Sequence, residues 1–145
     1  MKTRLDFYQV SPEAMKAMIA LEVAVGKLGL EPSLIELVKL RASQINGCAF
    51  CIDMHTADAR KAGETERRLY GVSAWRETPF FTDRERAALA WTESLTLLAA
   101  THAPDADYEL AAAQFSEKEL VDLTLAINAI NSWNRFGVGF RKMPE

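Results

Sequence analysis

Both cysteines of this 145-residue chain fall in one short stretch, Cys48-Ala49-Phe50-Cys51, and His55 follows four residues later. His102 is the only other histidine. Two thiols spaced as CxxC suit thiol chemistry. On a helix, residues three and four apart are neighbours. Cys48 and Cys51 can then close a disulfide, while His55 stacks one turn beyond Cys51. An imidazole beside a thiol takes its proton, and the resulting imidazolium stabilises the thiolate. Such a thiolate attacks a peroxide oxygen to give a sulfenic acid, and a second thiol condenses with that acid to a disulfide.

Other uses of the same residues fit less well. Zinc would have Cys48, Cys51 and His55 as ligands, but there is no second CxxC and no His-x₃₋₅-His pair. Three ligands along one helix also converge poorly on a tetrahedral ion. Covalent haem requires histidine directly after the second cysteine, where Ile52 stands. A thioredoxin-like fold needs a strand before the CxxC, and the preceding pattern is helical. Two inert buried thiols would leave the spacing to His55 as coincidence. Position alone favours Cys48 as the more acidic thiol, because it lies nearest the free N–H groups of a helix start.

These residues need a scaffold, and helix signals supply one along most of the chain. Ser11-Pro12 opens a helix in which Ala14, Met15, Met18, Leu21, Val25 and Leu28 recur at helical spacing up to Gly29. Pro32 opens a second, with Leu34, Leu37, Val38 and Ile45 on one face and Asn46-Gly47 as its stop. A third begins at or near Cys48 and ends at Gly63. A shorter helical turn precedes the Pro79 loop. Thr82-Asp83-Arg84-Glu85 and Ser116-Glu117-Lys118-Glu119 are capping boxes. The first starts a helix to about Ala100; the second starts the most apolar helix, Leu120 to about Trp133, with Gly137 and Gly139 as stops. No strand pattern persists. The expectation is an all-α bundle of about six to seven helices in one domain, residues 1–145, with the CxxC at a helix N-terminus.

Composition narrows the function classes. A net charge of −3 without a basic block exerts no bulk pull on nucleic acid or anionic membrane. No apolar run approaches the roughly 20 residues needed to span a bilayer. The N-terminus, Met1-Lys2-Thr3-Arg4-Leu5-Asp6, lacks the apolar core of a signal peptide. A cytoplasmic location follows as the expectation, and there a CxxC reads as redox-active rather than as a staple.

The stretch Cys48-x-x-Cys51-x-x-x-His55-x-x-x-Ala59-Arg60-Lys61-Ala62-Gly63 resembles the signature of the AhpD-like alkylhydroperoxidases of the carboxymuconolactone decarboxylase superfamily. Glu36, twelve positions before Cys48, matches the spacing of that family's acidic residue. Trp75-Arg76-Glu77, then Glu85-Arg86-Ala87-Ala88-Leu89-Ala90, and Asn131-Ser132-Trp133-Asn134-Arg135 resemble its later helices. The likeness spans roughly residues 30 to 136. It implies an all-α homo-oligomer, trimeric or hexameric, that reduces an organic hydroperoxide or hydrogen peroxide without cofactor or metal. A dithiol partner, dihydrolipoyl or thioredoxin-like, would recycle the disulfide.

Carried over residue by residue, the resemblance makes Cys51 the peroxidatic thiol, Cys48 the resolving one, and Glu36 with His55 the proton relay. Periodicity alone would not select Glu36: it shares a narrow polar strip with Lys39 and Ser43, opposite the main apolar face of its helix. The strip is either solvated or turned toward the CxxC, where a buried carboxylate suits proton transfer. One departure is Phe50, where some peroxidase members carry histidine. A more apolar pocket there leads to an expected preference for bulky organic peroxides over hydrogen peroxide. Two rival readings stand beside the peroxidase: a γ-lactone decarboxylase of the same superfamily, whose true decarboxylases generally lack the CxxC, and a non-enzymatic oligomeric redox-sensing module. His102 reads as a surface or capping residue, and Asn128, Asn131 and Asn134 as a stripe of interhelical or intersubunit hydrogen bonding. Met15, Met18, Leu21, Val25 and Leu28 form either core or an oligomer seam.

Overall fold

A computed structural model describes all residues, 1–145, as nine α-helices and one 3₁₀ segment, with no strand. The helices are α1 (Phe7–Val10), α2 (Pro12–Gly26), α3 (Pro32–Asn46), α4 (Ala49–Lys61), α5 (Glu66–Gly71), α6 (Asp83–Thr96), α7 (Leu98–Thr101), α8 (Asp105–Ala112) and α9 (Glu117–Phe140). The 3₁₀ segment, Val72–Glu77, follows α5 directly. No helix is long and apolar enough to cross a membrane.

Helix α3 is the axis of the bundle and packs against α4, α6 and α9. Its apolar side chains serve two cores. Leu34, Ile35 and Val38 join Trp91, Leu123 and Ile127 from α6 and α9. Leu37 and Leu40 join Ala59, Leu69, Trp75 and Leu89 on the other side. A helix buried this widely cannot carry a solvated strip, and Lys39 and Ser43 are buried with the rest. On α2, Met15 and Val25 are core, whereas Ile19 and Val23 stay half exposed.

The start signals place the helices as read, except that Ser11, expected to cap α2, makes no side-chain cap bond. Both capping boxes form, Thr82 with Glu85 and Ser116 with Glu119, each closing two otherwise orphaned N–H groups. Stop signals are less faithful. Gly137 and Gly139 do not end α9, which continues to Phe140 and closes with Arg141 in the left-handed region at φ 54°. A glycine weakens a helix by only about 1 kcal/mol, and packing of α9 across the bundle outweighs that. Helix α6 ends at Thr96 rather than near Ala100, where a separate turn, α7, takes over. Helices α1 and α8 carry too few periodic residues to be legible alone. The N-terminal strap with α1 is tied to the end of α9: the Arg4 backbone N–H donates to the Phe140 carbonyl, and the Phe7 ring packs on Phe136 and Phe140.

Candidate active site

The CxxC owes its place to one turn. Gly47, at φ 67°, ends α3 in the left-handed conformation. The Gly47 N–H donates to the Gln44 carbonyl and the Cys48 N–H to the Ser43 carbonyl, the paired bonds of a Schellman motif. A side chain at position 47 would strain this reversal. The chain re-enters helix at once, with Cys48 as the N-cap of α4 and its Sγ accepting from the Cys51 N–H at 3.3 Å. The free N–H groups and dipole of α4 therefore lie at the sulfurs. Cys48 and Cys51 are joined as a disulfide, with Cα atoms 5.3 Å apart.

The two sulfurs have different surroundings. Cys51 lines a cavity of about 370 Å³ together with Glu36, His55, Phe50, Met54 and Trp133; Cys48 does not reach it. Cys48 is covered by α9 at Gly137, where an added Cβ would stand 2.7 Å from its sulfur and 3.5 Å from that of Cys51. The residue read as a helix stop is thus a point of close approach, legible only once α9 is known to cross the CxxC.

His55 is buried one turn beyond Cys51, and its Nδ1 lies 3.0 Å from Glu36 Oε2. Glu36 of the α3 strip therefore faces α4, and Cys51, His55 and Glu36 share one cavity. That cavity has further members which sequence reasoning did not select. Lys39 bonds Glu22 of α2 and lies 3.8 Å from Glu36 Oε1. The Trp133 indole N–H donates to Glu22 Oε2 at 3.2 Å. Lys39 sits one turn after Glu36, a usable signal; Glu22 lies in an apolar run on another helix and offered none. The cavity is closed by Phe7 and Tyr8 of α1 and by Lys142, whose ammonium lies 4.5 Å from the Phe50 ring centre. Burial, followed by the Asp6 carboxylate, raises the Tyr8 phenol above its ordinary 10.0, so it keeps its proton at neutral pH.

Other candidates fall elsewhere. His102 is exposed in the left-handed cap of α7. Asn128 is exposed, whereas Asn131 and Asn134 both accept from the Asn46 amide at 2.9 Å, and Asn134 donates to Ser43 at 3.0 Å. These bonds clamp the end of α3 to α9 just before the CxxC. No group of three or more His, Cys, Asp or Glu side chains is arranged to hold a metal ion.

Comparison with known proteins sets this geometry among relatives. The model of the carboxymuconolactone decarboxylase family matches residues 12–94. The uncharacterized protein YdfG of Bacillus subtilis is 46% identical over 138 residues, 95% of this chain and 94% of its own. A crystal structure from Agrobacterium tumefaciens, of a protein of unknown function described as a candidate antioxidant defence protein AhpD, superposes with a TM-score of 0.98. It shares 50% identity over 99% of each chain. The alkyl hydroperoxide reductase AhpD of Hyphomonas neptunium is 40% identical over 55 residues, 38% of this chain and 30% of its own.

Proposed function

The chain belongs to the carboxymuconolactone decarboxylase family, and on that premise we propose that it is an AhpD-like thiol peroxidase cycling between a Cys48–Cys51 dithiol and disulfide. The observation that carries this reading is the unequal access of the two sulfurs: Cys51 borders the cavity beside the His55–Glu36 pair, and Cys48 lies behind it, sealed by Gly137. A thiol that attacks must meet substrate, whereas one that resolves need only meet the first sulfur.

His55, held by Glu36, takes the Cys51 proton. The thiolate attacks the terminal oxygen of ROOH, the O–O bond breaks, and the alkoxide leaves as ROH with the relayed proton. Cys51 is then a sulfenic acid. The Cys48 sulfur attacks it, a disulfide forms and water departs. A dithiol, dihydrolipoyl or on a thioredoxin-like protein, restores both thiols by exchange and is itself oxidised. The apolar lining from Phe50, Met54 and Trp133 suits an organic hydroperoxide over hydrogen peroxide. A trimeric or hexameric assembly and a reducing, cytoplasmic location complete the proposal.

The test is intact-mass measurement of reduced protein after brief exposure to stoichiometric cumene hydroperoxide. Loss of two hydrogens in the wild type, a trapped sulfenic acid in Cys48→Ser and none in Cys51→Ser are expected. The mirror pattern would exchange the two roles. No rapid oxidation in any variant would overturn the peroxidase reading. Cys51→Ser would also spare a decarboxylase, whose chemistry needs no thiol.

A further inference from the structure

Lys39 and Glu22 border the Cys51 cavity but take no part in the steps above. The Lys39 side chain is only 11% exposed, and a buried ammonium is costly unless paired. Its two partners come from different helices: Glu22 of α2, which it bonds, and Glu36 of its own helix, with Oε1 at 3.8 Å. The other Glu36 oxygen, Oε2, faces His55 Nδ1 at 3.0 Å. Glu22 is held in turn by the Trp133 indole of α9 at 3.2 Å. A charged ladder therefore runs Trp133, Glu22, Lys39, Glu36, His55 across α9, α2, α3 and α4. The other charged or titratable groups lining this cavity, Tyr8, Asp58 and Lys142, form no ion pair with it.

A carboxylate hydrogen-bonded at one oxygen is free to swing about that bond; an ammonium 3.8 Å from its other oxygen favours one edge. The geometry points to Lys39 as a positioning residue: clamped by Glu22 and Trp133, it fixes the Glu36 carboxylate so that Oε2 stays on His55, and His55 on Cys51. Removing the ammonium would also leave Glu22 and Glu36 as like charges on one wall, pushing the Glu36 carboxylate off its present position. The inference rests on Glu36 and His55 being the relay to Cys51, and it adds two helices, α2 and α9, to the parts that tune that thiol.

The test measures alkylation of Cys51 by iodoacetamide across pH, in reduced Cys48→Ser protein so that one thiol reports. Lys39→Met is expected to slow alkylation at neutral pH about tenfold and move the profile to higher pH, in line with loss of acid–base positioning. Glu22→Gln and Trp133→Phe act in the same direction, less strongly. The deciding arm is a double-mutant cycle: in a Glu36→Gln background, Lys39→Met should change nothing further, since its action passes through Glu36. A merely structural lysine would lower thermal stability and leave the profile alone. The inference is overturned if Lys39→Met leaves rate and profile unchanged, or if its effect is the same with and without Glu36→Gln. Should Lys39→Met fail to fold, Glu22→Gln with and without Glu36→Gln decides by the same criterion. Alkylation needs no peroxide, so oxidation by cumene hydroperoxide run in parallel separates the two failures. Alkylation that depends on Lys39 through Glu36 without peroxide oxidation keeps the ladder and removes the peroxidase. Rapid oxidation with indifferent alkylation does the reverse.

Discussion

Glu36 and Glu93 are almost equally shielded, with side chains 20% and 15% exposed, and each has a basic side chain within ion-pair range. Their partners make them different instruments. Glu93 of α6 accepts from Arg41 Nε at 2.9 Å, from the Trp75 indole at 2.8 Å and from Arg76. Guanidinium and indole donors do not release protons at any ordinary pH, so the carboxylate stays ionised and joins α3, α6 and the 3₁₀ segment. Glu36 has one hydrogen-bonding partner, His55, an imidazole, which can both take up and release a proton. The one ammonium near it, Lys39, stands at 3.8 Å, in ion-pair range but beyond a hydrogen bond, and the carboxylate borders a cavity. In the proposed cycle, burial alone would not make a carboxylate a proton relay; a partner that can give the proton up would.

The comparison is sharpened most by exchanging charge for amide at each position. Glu36→Gln should slow Cys51 oxidation by about 100-fold, the scale of one acid–base group, with little change in urea stability. Glu93→Gln should do the opposite: unchanged oxidation, and a loss of about 1–3 kcal/mol in urea unfolding, because Arg41 and Arg76 lose their charged acceptor. Equal kinetic effects from the two variants would erase the distinction.

A smaller effect comes from packing at the thiol site. Gly137→Ala forces a methyl to within 2.7 Å of the Cys48 sulfur, so α9 or α4 must shift. A loss of about 1–3 kcal/mol and slower disulfide closure after peroxide are expected, read by denaturation and by quenched mass analysis. Gly139→Ala, with nothing within 4 Å of the added carbon, is the control and should stabilise α9 by up to about 1 kcal/mol. A neutral Gly137→Ala would show that α9 does not seal Cys48.

The smallest effect is a pH signature. Burial pushes Glu93 up, but hydrogen bonds from Arg76, Trp75 and Arg41 outweigh it and hold the carboxyl below its usual 4.5. A group depressed on folding contributes stability above its unfolded pKa and loses it as pH falls through the folded one. The stability gap between wild type and Glu93→Gln should be constant above about pH 5.5 and shrink below about pH 4. A constant gap down to pH 2 would refute the depressed pKa.

Much of this protein is written locally. The two capping boxes, Pro12 and Pro32 at helix starts, Gly47 as a stop and the i, i+3, i+7 run of Cys48, Cys51 and His55 depend on neighbours within one or two turns, and such neighbours are visible in the chain itself. Spacing alone was enough for the all-helical class, the position of the CxxC and the placement of His55 one helical turn beyond Cys51. Which sulfur meets the cavity was not written there, since Cys48 and Cys51 share the same helix turn and it is α9, distant in sequence, that packs most closely on Cys48 at Gly137. Nor was the ladder through Glu22 and Trp133, whose members lie on α2 and α9 and meet Lys39 only when four helices pack. Helix signals act over a turn or two; access, charge pairing and the sealing of a thiol arise between elements distant in sequence, and tertiary packing alone decides them.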